Sequence, residues 1–463
     1  MYDAIVIKLE EENFSPHTNS DNLVLYNYNG NQIILSKTMY KAGDMCLYFI
    51  PDTKISHWFL MEHKLYRKNP ETLEKWKGFF ENNGRVNKIK IRGEYSDGFI
   101  MLLPDSWMYN ENDTISSHEG KLLCEKYVND ATKIAQANLN KKHGEITGKI
   151  LGKLFNGFNE HIDTKQFVYA VNSIPVGSLL TITIKLHGTS GRTMHNMVEV
   201  NIPINNKAFW ENISLFNLKN ITFYEKNYSG KWYNIWKSFI PKLLVKSPSY
   251  QTGTRRVNKL DSLTNKLDLT GFHGIENFRV YWHNYLMNKL PLGVTVYYEI
   301  VGKDENGKYF MGSNEYEGKV YNYAYKNLKH PETNDYANTI VIYRVTHTDF
   351  STGNVTEYSV EEIEKLADKL CVSSAPIVEQ YVYDGNKSKL VEFLKTYCTE
   401  NQFKDITNPN GILEGLVIRS DQPTGKVDWC KFKSDVFCEV EGIISQTQKL
   451  ANGEDNTNLE DVS

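Results

Sequence analysis

The stretch Lys185-Leu186-His187-Gly188-Thr189-Ser190 decides how this chain reads. From Ser178 onward β-branched residues alternate up to Lys185, the pattern of a strand, and Gly188 interrupts it. Lys185 is therefore expected near the end of a strand, at the mouth of a turn, with His187 on the same face if the strand persists. Gly188 would supply a turn or a close backbone approach. A Lys-x-x-Gly string alone carries little weight, because a chain with 30 Gly should contain it by chance about a couple of times.

The order of the downstream elements gives it weight. After the lysine come Gly253-Thr254-Arg255, then Tyr298-Glu299-Ile300-Val301-Gly302, then Ile342-Tyr343-Arg344, then Glu414-Gly415-Leu416-Val417-Ile418-Arg419, and finally Lys431-Phe432-Lys433, 17 residues after Glu414. Glu299 lies in an otherwise apolar strand, where a carboxylate is costly unless it meets a hydroxyl, a cation or water. An outward position on an alternating strand is its plainer reading. Lys431 and Lys433 flank Phe432, so on a strand both ammonium groups face one side, and a bound triphosphate would relieve their repulsion. A solvated strand edge is the alternative. A cationic neighbourhood such as Lys431 and Lys433 would provide lowers a lysine's pKa from its ordinary value of about 10.4.

This ordered set resembles the covalent nucleotidyltransferases, and His187 in Lys-x-His-Gly points to the ATP-dependent RNA ligase branch. The resemblance implies that Lys185 takes AMP from ATP and passes it to a 5'-phosphate end, which a 3'-hydroxyl then attacks. It further implies nucleotide contacts from His187, Gly188, Arg255 (with Arg256 as the near alternative), Glu299 at the ribose, Tyr343 stacked on adenine, and Lys431 and Lys433. Glu414 would position a metal, for which oxygen ligation suits Mg2+ or Mn2+. Two positions depart from the family pattern: Ile184 stands where many relatives have Glu, and Ser190 where one type has Asn. A GTP-using capping enzyme, a general polynucleotide ligase and a nucleic-acid-binding protein that has lost catalysis remain the alternatives.

Toward the amino terminus, the first hundred residues read as short strands at Asp3 to Leu9, Asn22 to Tyr28, Gln32 to Leu35, Cys46 to Ile50, Asn87 to Ile91 and Gly98 to Leu103. Such spacing suggests a small barrel. The strings His17-Thr18-Asn19-Ser20-Asp21-Asn22-Leu23, Ala42 to Pro51 and Lys90 to Gly98 resemble the amino-terminal OB-type domain of the RNA ligase group often called family 5. The expected class is α+β: an OB-like β-barrel over 1–105, a linker or helical subdomain over 106–157, and a nucleotidyltransferase (ATP-grasp-like ligase) domain of antiparallel sheets with flanking helices over 158–440. An insert near 195–260 interrupts the last, and 441–463 reads as a disordered polar tail.

Within the insert, Tyr224 to Leu260 holds eight Lys or Arg against Glu225, interleaved with Tyr228, Trp232, Tyr233 and Trp236. That mixture suits phosphates and stacked bases, or equally a helix with an apolar face. His161-x-Asp163-Thr164 resembles a segment upstream of the reactive lysine in the same ligases. Asn277 to Leu290 carries apolar residues at helical spacing, and Ser359-x-x-Glu362 is a capping box.

Composition bounds the rest. With 463 residues, 40% hydrophobic and 24% charged, the chain is an ordinary globular protein of two or three domains. The net charge of -3 excludes a general electrostatic grip on nucleic acid, so such a grip must be local. Six cysteines without Cys-x-x-Cys spacing argue against a zinc site or a disulfide scaffold. No apolar run is long enough to cross a bilayer, and Met1 to Ser20 carries charges where a signal peptide would be apolar. The expectation is a cytoplasmic or otherwise intracellular monomer without membrane contact, acting on RNA or an RNA-containing duplex with 3'-OH and 5'-phosphate ends. The short stretch after Lys433 is expected to leave no room for a carboxy-terminal OB module.

Overall fold

The structure is a computed structural model that describes residues 2–76, 78–128, 158–161, 164–203, 221–222, 242–255, 258–261, 266–267, 270–271, 274–312, 314–316, 319–321, 328–331, 337–403, 411–438 and 440. The disordered tail expected over 441–463, Asp163, Arg256 and most of the basic, aromatic stretch of the insert lie outside these residues.

Two sheets dominate the region after residue 164. One has five strands in the order Lys165–Gln166, Val427–Lys433, Gly415–Asp421, Leu179–Ile184, Ile377–Val382. The other has seven: Ile221–Thr222, Lys242–Gly253, Thr189–Pro203, Val294–Gly302, Asn338–Thr348 and Val355–Glu357 in that order, with Ser373–Ser374 pairing beside Asn338–Thr348. All pairings in the two are antiparallel except those of the short strands Lys165–Gln166 and Ser373–Ser374. The class is α+β, as expected.

Period-2 alternation gives the five-stranded sheet two unlike faces. Leu180, Ile182, Ile184, Leu416, Ile418, Cys430 and Phe432 point into a core closed by Leu390 and Leu394 of the helix Lys387–Glu400. Thr181, Thr183, Val417, Arg419, Trp429, Lys431 and Lys433 line the opposite side. Ile184 is buried and packs in this core while also bordering the cavity.

The seven-stranded sheet is backed by the helix Asn277–Leu286, whose Phe278, Trp282 and Leu286 recur every four residues and are fully buried. Each such side chain contributes roughly 1.5–3 kcal/mol of transfer free energy. The Trp282 indole N–H, buried with it, donates to Asn338 Oδ1 at 2.8 Å. This helix ends at Leu286, short of the apolar pattern's reach to Leu290, because Met287 turns to extended ψ and Asn288 adopts φ 66°. The capping box at Ser359 is formed in full.

The amino-terminal strands occur where expected, within about a residue, but no closed barrel is shown. They divide between a four-stranded sheet (Thr114–Ile115, Ala4–Lys8, Met45–Phe49, Phe99–Leu102), a three-stranded sheet (Phe14–Pro16, Leu23–Tyr28, Asn31–Ser36) and the hairpin Lys88–Ile91 with Glu94–Asp97. The reason is in the pairing: Leu23–Tyr28 pairs with Phe14–Pro16 and Asn31–Ser36 and, among the described residues, not with the four-stranded sheet. Ala4-Ile5-Val6-Ile7 has two apolar faces, each covered by a different layer. Ala4 and Val6 pack with Phe49, Phe59 and Leu60, while Ile5 and Ile7 pack with Tyr26, Ile33 and Leu35. The expected linker from residue 106 also differs through residue 128: Thr114–Ile115 and Cys124–Lys126 are short strands that return to pair with Ala4–Lys8 and Thr53–Ile55.

Of the cysteines, Cys46, Cys124, Cys398 and Cys430 are buried, Cys438 is half-buried, Cys371 is exposed, and all are free thiols. Among the described residues no helix is long and apolar enough to cross a membrane.

Candidate active site

The turn at Lys185 is where the chain leaves one sheet for the other. Leu179–Ile184 belongs to the five-stranded sheet and Thr189–Pro203 to the seven-stranded one, so Lys185 to Gly188 bridge them. The Lys185 backbone N–H donates to the Gly415 carbonyl at 2.9 Å. Gly188 lies against the Glu299 strand so tightly that a Cβ there would stand 2.4 Å from the Ile300 carbonyl oxygen. Close backbone approach is thus the need for glycine at this position.

Between the sheets opens a cavity of about 260 Å³, and Lys185, His187, Gly188, Arg255, Glu299, Tyr343, Glu414, Lys431 and Lys433 all line it. These nine candidate residues all reach this one space.

Glu414 is the centre of its charge. One carboxylate oxygen is 2.5 Å from Lys185 Nζ and the other 3.2 Å from His187 Nδ1, with Glu414 itself 3% exposed. Burial alone would raise its carboxyl, but Lys185 and His187, with Lys433 behind them, hold it well below the usual carboxylate range. His187 also meets the Phe437 ring edge-on at 5.0 Å. Lys185 and His187 thus face one carboxylate, although the strand ends at Ile184.

The Lys431 ammonium has a contrasting setting. Burial first, then the charges of Lys185, Lys433, Arg255 and Lys126, push its pKa down to about 7. The lysine whose amine is brought near neutral pH is therefore Lys431, while Lys185 has an acid for a partner.

At the other end of the cavity Tyr343 packs edge-on to His161, 5.0 Å between ring centroids, and its hydroxyl is 3.4 Å from Ser190 Oγ. Burial and the nearby Glu299 raise the Tyr343 phenol, so it is neutral. Glu299 is paired in register with Ser190 on one side and Val341 on the other.

Neither a protein-family model nor a curated protein matches the sequence. The shape does have counterparts among solved structures. Naegleria gruberi RNA ligase, as a mutant with ATP and Mn, matches with a TM-score of 0.51 at 14% identity, over 94% of this chain and 98% of that one. A mutant of the same ligase with AMP and Mn gives 0.52 at 14% identity over 94% and 98%, and a further mutant with ATP and Mn gives 0.52 at 14% over 95% and 99%. The chain has the fold of an RNA ligase.

This ligase fold also brings to the cavity residues that carry no signal in the sequence. Asp52, Arg85 and Lys126 come from the amino-terminal part and line the same space as Lys185. Asp52 receives Arg85 Nε at 3.1 Å and a terminal guanidinium nitrogen at 2.6 Å. Against the effect of burial, Arg85, Lys433 and Lys126 lower its carboxyl. Asp52 sits at φ 67° in an ordinary turn, and nothing in Pro51-Asp52 marks it as part of a site.

For a divalent cation the donor set is small. Among the described residues no group of three His, Cys, Asp or Glu converges. The buried Glu414 carboxylate, opening on a cavity rich in cations, fits a Mg2+-like ion held chiefly by substrate phosphates, the usual manner for that metal.

Proposed function

We propose that this chain is an ATP-dependent RNA ligase that works through a lysyl-AMP intermediate, with residues 158–440 as its nucleotidyltransferase domain. The observation that carries the reading is the meeting, in one cavity, of an amine paired to a buried carboxylate with a second pair of lysines on one strand face. The ligase fold of the chain and the ATP, AMP and Mn named for its counterparts support it.

In this reading Lys185 Nζ attacks the α-phosphorus of ATP. A P–N bond forms as the bond to the β-phosphate oxygen breaks, pyrophosphate leaves, and the amine proton passes to solvent. An RNA 5'-phosphate oxygen then displaces Lys185 from the AMP phosphorus. The 3'-hydroxyl finally attacks the 5'-phosphate and AMP departs. Tyr343 and Val417, one from each sheet, would hold the adenine, Glu299 the ribose, and Arg255, Lys431 and Lys433 the phosphates. Glu414 would hold Mg2+ or Mn2+, whose charge would polarise the phosphoryl group.

Labelled ATP and labelled GTP, each incubated with the protein and Mg2+, test the reaction and separate it from capping chemistry. AMP bound covalently from ATP is expected. GMP transfer in its place would refute the assignment. Strand choice is the second arm. The strand that supplies the 3'-hydroxyl is expected to be RNA, since a 2'-hydroxyl lets a protein distinguish RNA from DNA. Matched nicks differing only in ribo or deoxyribo 3'-terminal nucleotides should differ strongly in sealing, and equal sealing would leave a general polynucleotide ligase.

Lys431 adds a pH dependence. Its folded pKa of about 7 lies below the ordinary lysine value. Between pH 7 and roughly 10.4 the unfolded chain keeps the proton that the folded one has lost, so this residue's cost to stability is full below pH 7 and fades above it. A bound triphosphate favours the charged ammonium, so ATP binding should take up close to one proton at pH 8 and almost none at pH 6. Calorimetry in buffers of different ionisation heat measures this, and Lys431→Met should abolish the uptake. Uptake unchanged in that variant would assign the proton elsewhere.

A further inference from the structure

Beside the phosphate end of the cavity lies a buried ionic joint. Lys88, on the strand Lys88–Ile91, has 6% of its side chain exposed. Its ammonium contacts Asp97 of the adjacent strand Glu94–Asp97 and lies 2.5 Å from Asp435. Asp435 follows Lys433 by two residues, so the joint ties the amino-terminal sheets to the end of the lysine strand. Lys395, on the helix Lys387–Glu400, lies nearby: burial lowers its ammonium while Asp97 and Asp435 act to keep it charged. One buried cation and two carboxylates from three segments thus meet at this seam.

The seam opens on the site. A small cavity of about 80 Å³ is lined by Lys88, Asp97 and Asp435 on one side and by Asp52, Lys431 and Lys433 on the other. A buried ion cluster is a poor source of stability compared with apolar packing, but its directional contacts define one arrangement of the parts it joins. Here those parts are Arg85 and Lys126 on the amino-terminal side and Lys431 and Lys433 on the other, the four cations around the same end of the main cavity.

We propose that Lys88, Asp97 and Asp435 are positioning residues that set the spacing of these cations, and that they serve the charging of the enzyme by ATP rather than the joining of strands. The inference rests on the ligase reading. ATP brings a β- and a γ-phosphate, the pyrophosphate leaving group, to this end of the cavity, whereas an adenylylated 5'-end carries one phosphate beyond the AMP, already joined to the strand, and no γ-phosphate, so a widened seam disturbs the first step more than the last. Other contacts hold the seam when the joint is cut. Tyr169 donates to the Asp3 carbonyl at 2.7 Å, and Lys387 Nζ donates to Asn29 Oδ1 at 2.8 Å.

The test uses full-length wild type, Lys88→Met, Asp435→Asn and Lys88→Arg, each stripped of AMP with pyrophosphate. Charging is followed with labelled ATP over a range of concentrations, sealing with a nicked RNA duplex whose 5'-end is already adenylylated, and folding by thermal unfolding. Lys88→Met and Asp435→Asn should slow charging about tenfold to a hundredfold, largely through a raised KM for ATP, the scale expected for displaced phosphate contacts. Sealing of the adenylylated strand should stay within about twofold, and Lys88→Arg, which keeps the cation between Asp97 and Asp435, should recover most of the charging rate. Equal losses in both assays, or no loss in charging, would overturn the joint's role. A wild-type chain that takes no AMP would instead overturn the ligase reading, and the joint's assignment to a step with it.

Discussion

Lys185→Ala and Lys185→Arg are each expected to leave no AMP on the protein after denaturing gel electrophoresis. Alanine removes the nucleophile, and a guanidinium, charged at any accessible pH, cannot replace it. The two variants separate chemistry from architecture. Arg at this position can still pair with Glu414, as Lys185 does at 2.5 Å, so the fold around the turn should persist. Both should still join a strand supplied with its 5'-end already adenylylated, since that step needs no attack by the lysine. Labelling retained in either variant would falsify Lys185 as the acceptor.

Glu414→Ala is expected to lower charging on the order of a hundredfold, and raised Mn2+ should restore part of the loss. The sign of this effect is informative. Taking an anion away from an amine favours the neutral, nucleophilic form, so ion pairing by itself predicts a faster attack. A slower one therefore reports the lost cation. Stability should fall too, by about 2 kcal/mol, less than for a fully buried pair because a quarter of the Lys185 side chain meets solvent. Since the folded Glu414 carboxyl is held below its ordinary range, its contribution is complete above the unfolded value of about 4.3 and is lost as pH falls through the folded value. Unfolding midpoints of wild type and Glu414→Gln should accordingly converge in strong acid. An unchanged metal titration in Glu414→Ala would remove this carboxylate from the metal site.

The individual elements of the site were legible because strands have period 2. Lys431 and Lys433 share a face with Phe432 opposed, and Thr181 and Thr183 lead to Lys185 along the cavity wall, as alternation requires. The helix carrying Phe278, Trp282 and Leu286 was equally plain from its spacing, though its end was set by backbone angles at Met287 and Asn288 that no apolar pattern encodes. The six amino-terminal strands expected were found within about a residue, but Phe14–Pro16, Thr53–Ile55 and Glu94–Asp97 were missed and no closed barrel is shown. Strand spacing says how often the chain turns; which edges meet depends on what covers each face.

By itself, then, the sequence determined the α+β class, the strands that carry Glu299, Tyr343, Lys431 and Lys433, and the order in which the candidate residues come. Only the tertiary structure decided who partners whom. Lys185 and His187 share Glu414, Lys431 is the lysine pressed toward neutrality, and Asp52, Arg85 and Lys126 join the cavity from the far end of the chain. The physical reason is range. Alternation and capping are local and repeat within a few residues, whereas the electrostatic environment of a buried charge is summed over every group within several ångströms, whatever its distance along the chain.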